Sequence, residues 1–338
     1  MKWILFLVFV TSCTQVTSLN MKKHEFGILP LKVIWFQIAG LDEEQVAMLR
    51  FNQPEERRTA FEESICIGKA WNYNLYKLRP SAEESFMAQM TGKKNIKNNC
   101  EDTKIRPIWG YLNESGYQTG ILENGVNDTQ SMAKFNKCDE QGLIFMSSLY
   151  FWLSKAPVPG AVTFHYREPI PVIPNKITYD RSCGEKSCSS SVSDNLPAIY
   201  TEFNRISNKN LMIVRDFSYL EALNKKDFVG ARNILYDLEK SYSWALELAK
   251  DSSEILVLLT TGDSRFVDMP DQGKSWYDFE KSGANVNLKR TQLTNLVLAS
   301  GVRAENFCGI YEDSNVFERI LSGPKQQGLE LKLINPFK

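Results

Sequence analysis

The chain has 338 residues, 43% hydrophobic and 24% charged, a globular composition with enough apolar material for one large core. Lysine plus arginine and aspartate plus glutamate both number 40, so the formal net charge is zero. The cationic excess that a phosphate backbone demands is absent, and nucleic acid is not an expected partner.

Lys2 precedes the apolar run Trp3 to Val10, which is too short to cross a bilayer and suits the hydrophobic region of a secretory signal. Val10-Thr11-Ser12-Cys13 then resembles a bacterial lipobox, in which the cysteine is lipidated and the preceding peptide is removed. The expectation is an exported lipoprotein anchored to a membrane through Cys13, at the outer membrane and periplasm or the cell surface, with residues 14–30 as a tether. The alternative is a soluble secretory signal cut after Ser18. No later stretch approaches about 18 consecutive apolar residues, so no transmembrane helix is predicted.

Leu31 to Ile38 is a nearly continuous apolar run ending near Gly40, the pattern of a strand buried on both faces. Asp42 to Arg50 reads as a helix that Asp42 caps, and Ser85 to Met90 as a second, ended by Gly92. Tyr117 to Leu122, Leu211 to Val214 and Ile255 to Thr260 read as strands, with a helix over Phe228 to Ala249. Alternating strands and helices predict an α/β fold, a mostly parallel central sheet covered on both faces in three α/β/α layers. Residues 157–205, rich in Pro and Ser, read as an irregular insertion over the sheet's edge or mouth. One domain is expected over 31–338.

Removing Cys13 leaves six cysteines, an even number compatible with disulfides in an exported protein. Cys183 and Cys188 are the best candidates for a local clasp, whereas the pairing of Cys66, Cys100, Cys138 and Cys308 stays open. Asn113-Glu-Ser and Asn127-Asp-Thr are formal glycosylation sequons, relevant only in a eukaryotic source.

Several segments between about residues 32 and 321, in order, resemble the alkaline phosphatase family. Val33 to Arg50 is similar to its first strand, turn and helix, and Arg79 to Gly92 to its nucleophile helix. Ile108 to Leu122, Leu211 to Asn224, Ile255 to Ser264 and Leu288 to Ile320 follow, the last being the closest match. The resemblance implies a site with two zinc ions, one magnesium ion and a phosphorylated serine. In this chain the metal-bridging aspartate position is Ala39 and the serine falls on Ala82. Ser81 is one residue off, a turn of about 100° on a helix. The glutamate, aspartate and histidine ligands of the next motif correspond to Arg215, Leu220 and Asn224. Those of the later strand correspond to Gly262 and Asp263, and a final histidine to Arg290.

The histidine count agrees with this degeneracy. A di-zinc site of this kind uses three histidines, whereas the chain has two, His24 and His165, neither in a matching segment. The expectation is a non-catalytic scaffold, or a protein binding an unknown partner or small anion, with no metal cofactor and with homodimerisation as a possibility of the family. Arg215 and Arg290 are the candidates for holding an anion without metal. The alternative is a divergent metal-dependent phosphate or sulfate ester hydrolase, in which Asp42, Glu43, Glu44, Asp216, Glu221 and Asp263 gather at the mouth of the sheet to hold Mg²⁺ or Ca²⁺.

Overall fold

The structure, a computed structural model, describes residues 30–51, 57–138, 148–185, 187–250, 252–282, 285–290 and 293–321. Cys13, the tether and His24 lie outside these residues. The strands are β1 (Lys32–Ala39), β2 (Cys66–Trp71), β3 (Gln118–Asn124), β4 (Leu149–Ser154), β5 (Val162–Phe164), β6 (Ile177–Asp180), β7 (Asn210–Asp216), β8 (Ile255–Gly262), β9 (Phe266–Asp268), β10 (Asn287–Lys289), β11 (Thr294–Gly301) and β12 (Gly309–Glu312). The α-helices are α1 (Glu43–Phe51), α2 (Ala82–Thr91), α3 (Ile108–Leu112), α4 (Val192–Ile206), α5 (Ser218–Asn224), α6 (Phe228–Lys250), α7 (Gly273–Ser282) and α8 (Asn315–Leu321).

Ten strands form one sheet in the order β12-β2-β11-β8-β1-β7-β3-β4-β6-β5, and β9 pairs with β10 alone. Within the large sheet only β11 opposes its neighbours. The apolar run at β1 divides by alternation. Val33, Trp35 and Ala39 join a core with α2, α3 and α8, while Ile34, Phe36 and Ile38 join a second core with α1, α4, α5 and α6. Two cores on opposite faces of one sheet give the three expected layers.

Residues 157–205 are more regular than their composition indicates. β5 and β6 extend the sheet at its edge, and α4 is the crossover helix into β7. Ser191 caps that helix in a box with Asp194, which starts it in a serine-rich stretch, and the packed apolar face of Leu196, Ile199 and Phe203 carries it past Pro197. Tertiary burial here overrides a local breaker signal.

Among the described residues there are three disulfides: Cys183–Cys188 as expected, Cys100–Cys138, and Cys66–Cys308, which ties β2 to the approach of β12. Among the described residues no helix is long and apolar enough to cross a membrane. The disulfides fit an exported protein in an oxidising compartment.

Candidate functional site

Parallel pairing brings the ends of β1, β7 and β8 to one level. Ala39 lies opposite Gly262, and Gln37 is flanked by Arg215 and Thr260. The N-terminus of α2 descends onto this point: a Cβ added to Gly262 would lie 3.2 Å from the Ala82 Cα and 2.9 Å from Phe86. On the other side, a Cβ on Gly40 would meet Leu220 of α5 at 3.1 Å. Ala39, Ala82, Leu220, Arg215 and Gly262, far apart in sequence, therefore converge. Asn224, the last residue of α5, is exposed.

Helix α2 is set by its ends. The Ser81 hydroxyl accepts from the Glu84 N–H while the Glu84 carboxylate accepts from the Ser81 N–H, and Gly92 closes the helix in the left-handed region. Ser81 is thus a cap. Further along, Gln89 donates to the Thr261 carbonyl (3.1 Å) and to Asp313 (3.2 Å), and accepts from Thr260, which itself accepts from the Trp35 indole. This chain of buried bonds locks α2 to the sheet.

Arg215 is almost fully buried and its guanidinium ion-pairs with Glu123 on β3, not with the adjacent Asp216. Glu123 also accepts from the Ser131 hydroxyl and the Met132 N–H (3.0 Å), and the guanidinium lies over the rings of Phe86 and Phe217. Arg215 is therefore closed off from an external anion. The candidate anion-holding pair of Arg215 and Arg290 is therefore not formed; each arginine pairs with a carboxylate, Arg215 with Glu123 and Arg290 with Asp263.

Arg265 stands beside Arg290 instead. Arg290 Nε is 2.6 Å from one Asp263 oxygen and Arg265 Nη2 is 2.9 Å from the other, while Arg290 Nη2 donates to the Pro80 carbonyl (2.6 Å), next to the α2 cap. Asp263 adopts a positive φ of 52°, which aims its carboxylate between the two guanidiniums. Burial pushes the Asp263 carboxyl up, and Arg265 and Arg290 oppose the shift. Arg265 Nε is buried with no acceptor.

The carboxylates of the hydrolase alternative do not gather. Asp42 and Glu43 face Lys69, Asp216 accepts from Asn124 and Ser218, Glu221 pairs with Lys225, and Asp263 is held by its arginines. Burial, with hydrogen bonding to Glu43 and its charge, pushes Asp42 up to about 7. His165 accepts from the Arg167 N–H and stacks on Tyr166, an arrangement that orders its own turn.

The sequence matches no protein-family model and no curated protein. Solved structures do match. The alkaline phosphatase of the Antarctic bacterium TAB5 superposes with a TM-score of 0.65 at 14% identity, over 87% of this chain and 98% of that one. The cold-active alkaline phosphatase of a Shewanella species gives 0.65 at 11% identity, over 86% and 98%. That of Thermus thermophilus gives 0.65 at 10% identity, over 91% and 94%. The chain has the alkaline phosphatase fold.

A variant of the TAB5 alkaline phosphatase was solved with Mg bound. The residues of the present chain do not fit such a group. Ala39, Leu220 and Gly262 offer no ligand atom, and Arg215 brings a guanidinium neutralised by Glu123. The nearest carboxylate, Asp263, is engaged by two arginines. Among the described residues no group of three or more His, Cys, Asp or Glu is placed to hold a metal ion. Sequence reading missed Glu123 and Arg265. Glu123 lies on a strand flanking β7, and pairing across strands leaves no local signal; Arg265 stands two residues from Asp263 and was legible as its neighbour.

Proposed function

We propose that this chain is an exported, non-hydrolytic protein of the alkaline phosphatase fold that binds a small anion without metal, held at a membrane by a lipid on Cys13. One observation carries the reading. Where β1, β7 and β8 end beneath α2, two guanidiniums converge, while the surrounding positions Ala39, Ala82 and Gly262 supply neither nucleophile nor metal ligand. Arg265 and Arg290 retain N–H donors beyond those used by Asp263 and Pro80, and planar guanidiniums suit phosphate-type oxygens. Ester cleavage requires an activated nucleophile. Ser81, the hydroxyl nearest in sequence, is engaged in a helix cap.

Calorimetric titration with inorganic phosphate and phenyl phosphate is expected to show binding that Arg290→Met weakens at least about tenfold, the scale of one charge-assisted contact. Turnover of aryl phosphates, phosphodiesters or aryl sulfates that a chelator abolishes would establish the divergent hydrolase instead. Export is tested separately: Cys13→Ser is expected to release the protein from the membrane fraction and remove its lipid mass.

A further inference from the structure

Just before α2, the loop over residues 72–80 displays large apolar side chains to solvent. Leu75 is 69% exposed, Tyr76 56% and Leu78 64%, and Trp71 at the preceding strand end is 46% exposed. Isolated exposed apolar residues are common, but four within eight positions form a patch. The loop is also held in place. Asn74 is buried, accepts from the Tyr76 N–H (2.9 Å) and Lys77 N–H (2.6 Å), and donates to the Ile96 carbonyl (3.2 Å). Leu75 N–H bonds the Lys94 carbonyl and Lys77 Nζ reaches Glu84 on α2 (2.7 Å). A loop so pinned loses little conformational freedom on contact, which favours binding.

This patch adjoins the arginine pair. Pro80, two residues after Leu78, supplies the carbonyl that Arg290 grips, and Arg79 between them is exposed with no ion-pair partner among the described residues. Cationic side chains thus stand beside exposed apolar ones. We infer that the ligand of this site is an anionic amphiphile, with a phosphate-type head at Arg265 and Arg290 and an aliphatic chain lying on Leu75, Tyr76 and Leu78. The inference rests on the anion-binding reading above and adds the chain. The charge arrangement selects this occupant: Arg265 and Arg290 share the single carboxylate of Asp263, and Arg79 has no ion-pair partner among the described residues, so an excess of positive charge stands beside the patch that a neutral apolar occupant would leave uncompensated.

The test compares n-butyl phosphate with n-dodecyl phosphate below its critical micelle concentration, by calorimetry on the full chain, with dodecyl maltoside as the uncharged control. Dodecyl phosphate is expected to bind about tenfold tighter or more, since several methylenes leave water. The double variant Leu75→Ser/Leu78→Ser, at exposed positions, is expected to erase that preference while leaving butyl phosphate affinity unchanged, and Arg290→Met to weaken both. Equal affinity for the two phosphates, with Arg290 dependence intact, would overturn the amphiphile and leave the anion site, assigning the rim to a protein partner. A chain preference that survives the rim variant, or equal binding of dodecyl maltoside, would overturn it as well. Failure of both phosphates to bind would remove the anion reading beneath it.

Discussion

Arg215 and Glu123 place two full charges where neither meets water, so each depends on the other. Removing one partner of such a pair leaves an uncompensated buried charge, a loss of about 3–5 kcal/mol. Arg215→Ala is therefore expected to lower the unfolding free energy in urea by that amount. Arg215→Met with Glu123→Gln should recover most of it, because the pair's mutual attraction barely exceeds its desolvation. Recovery absent in the double variant would show that the guanidinium's contacts with Phe86 and Phe217 dominate. Asp313 gives the pH dependence. Burial pushes its carboxyl up to about 7, against hydrogen bonds from Gln89 and Asn295, and Asp42 shifts the same way. A raised carboxyl holds its proton more tightly in the folded chain. The stability it contributes is full below the ordinary carboxylate pKa and is lost as pH rises to 7. Thermal unfolding is expected to occur at higher temperature near about pH 5 than near about pH 8, and Asp313→Asn to flatten that slope.

At the scale of elements, α2 decides what the site can become. Its capping box makes Ser81→Ala cost about 1 kcal/mol, read by urea unfolding. Helix α2 packs so closely on β8 that Gly262 has no room for a side chain. Introducing a carboxylate there by Gly262→Asp is therefore expected to destabilise by about 1–3 kcal/mol through overpacking, and not to create metal affinity. Metal-induced stabilisation of that variant in a melting assay would show that the helix yields. Other elements were legible in proportion to how local their causes are. The apolar run at β1 and the helical spacing of α6 announce themselves, because burial on two faces and on one face leave different periods. The crossover helix α4 was hidden by its serines and Pro197, since what stabilises it is a face packed against α6 and the sheet.

Over the whole molecule, the ten-stranded sheet is closed at one side by β2 and β12, and Cys66–Cys308 clamps that edge across 242 residues of sequence. A link of that span restricts the unfolded chain by up to about 5 kcal/mol. The double variant Cys66→Ala/Cys308→Ala is expected to melt well below the parent, and Cys183→Ala/Cys188→Ala, which opens a link between residues only five positions apart, to melt close to it. Because α2, β1, β7 and β8 are joined by side-chain packing and hydrogen bonds, stability is expected to be insensitive to EDTA. A fall in melting temperature on chelation would identify a structural metal.

The sequence by itself determined the layers and the register of the site. Hydrophobic periods fix which face each strand and helix buries, and the order of the matching segments places Ala39, Arg215 and Gly262 near strand ends that parallel pairing must align, with Ala82 and Leu220 on the helices beside them. It also puts Ala, Ala, Arg, Leu and Gly at those five positions. Tertiary structure alone decided how the remaining charges pair. Arg215 turned to Glu123 and not to Asp216, Arg265 took the place beside Arg290, and four cysteines found partners, because each choice depends on distances between strands that no local pattern encodes.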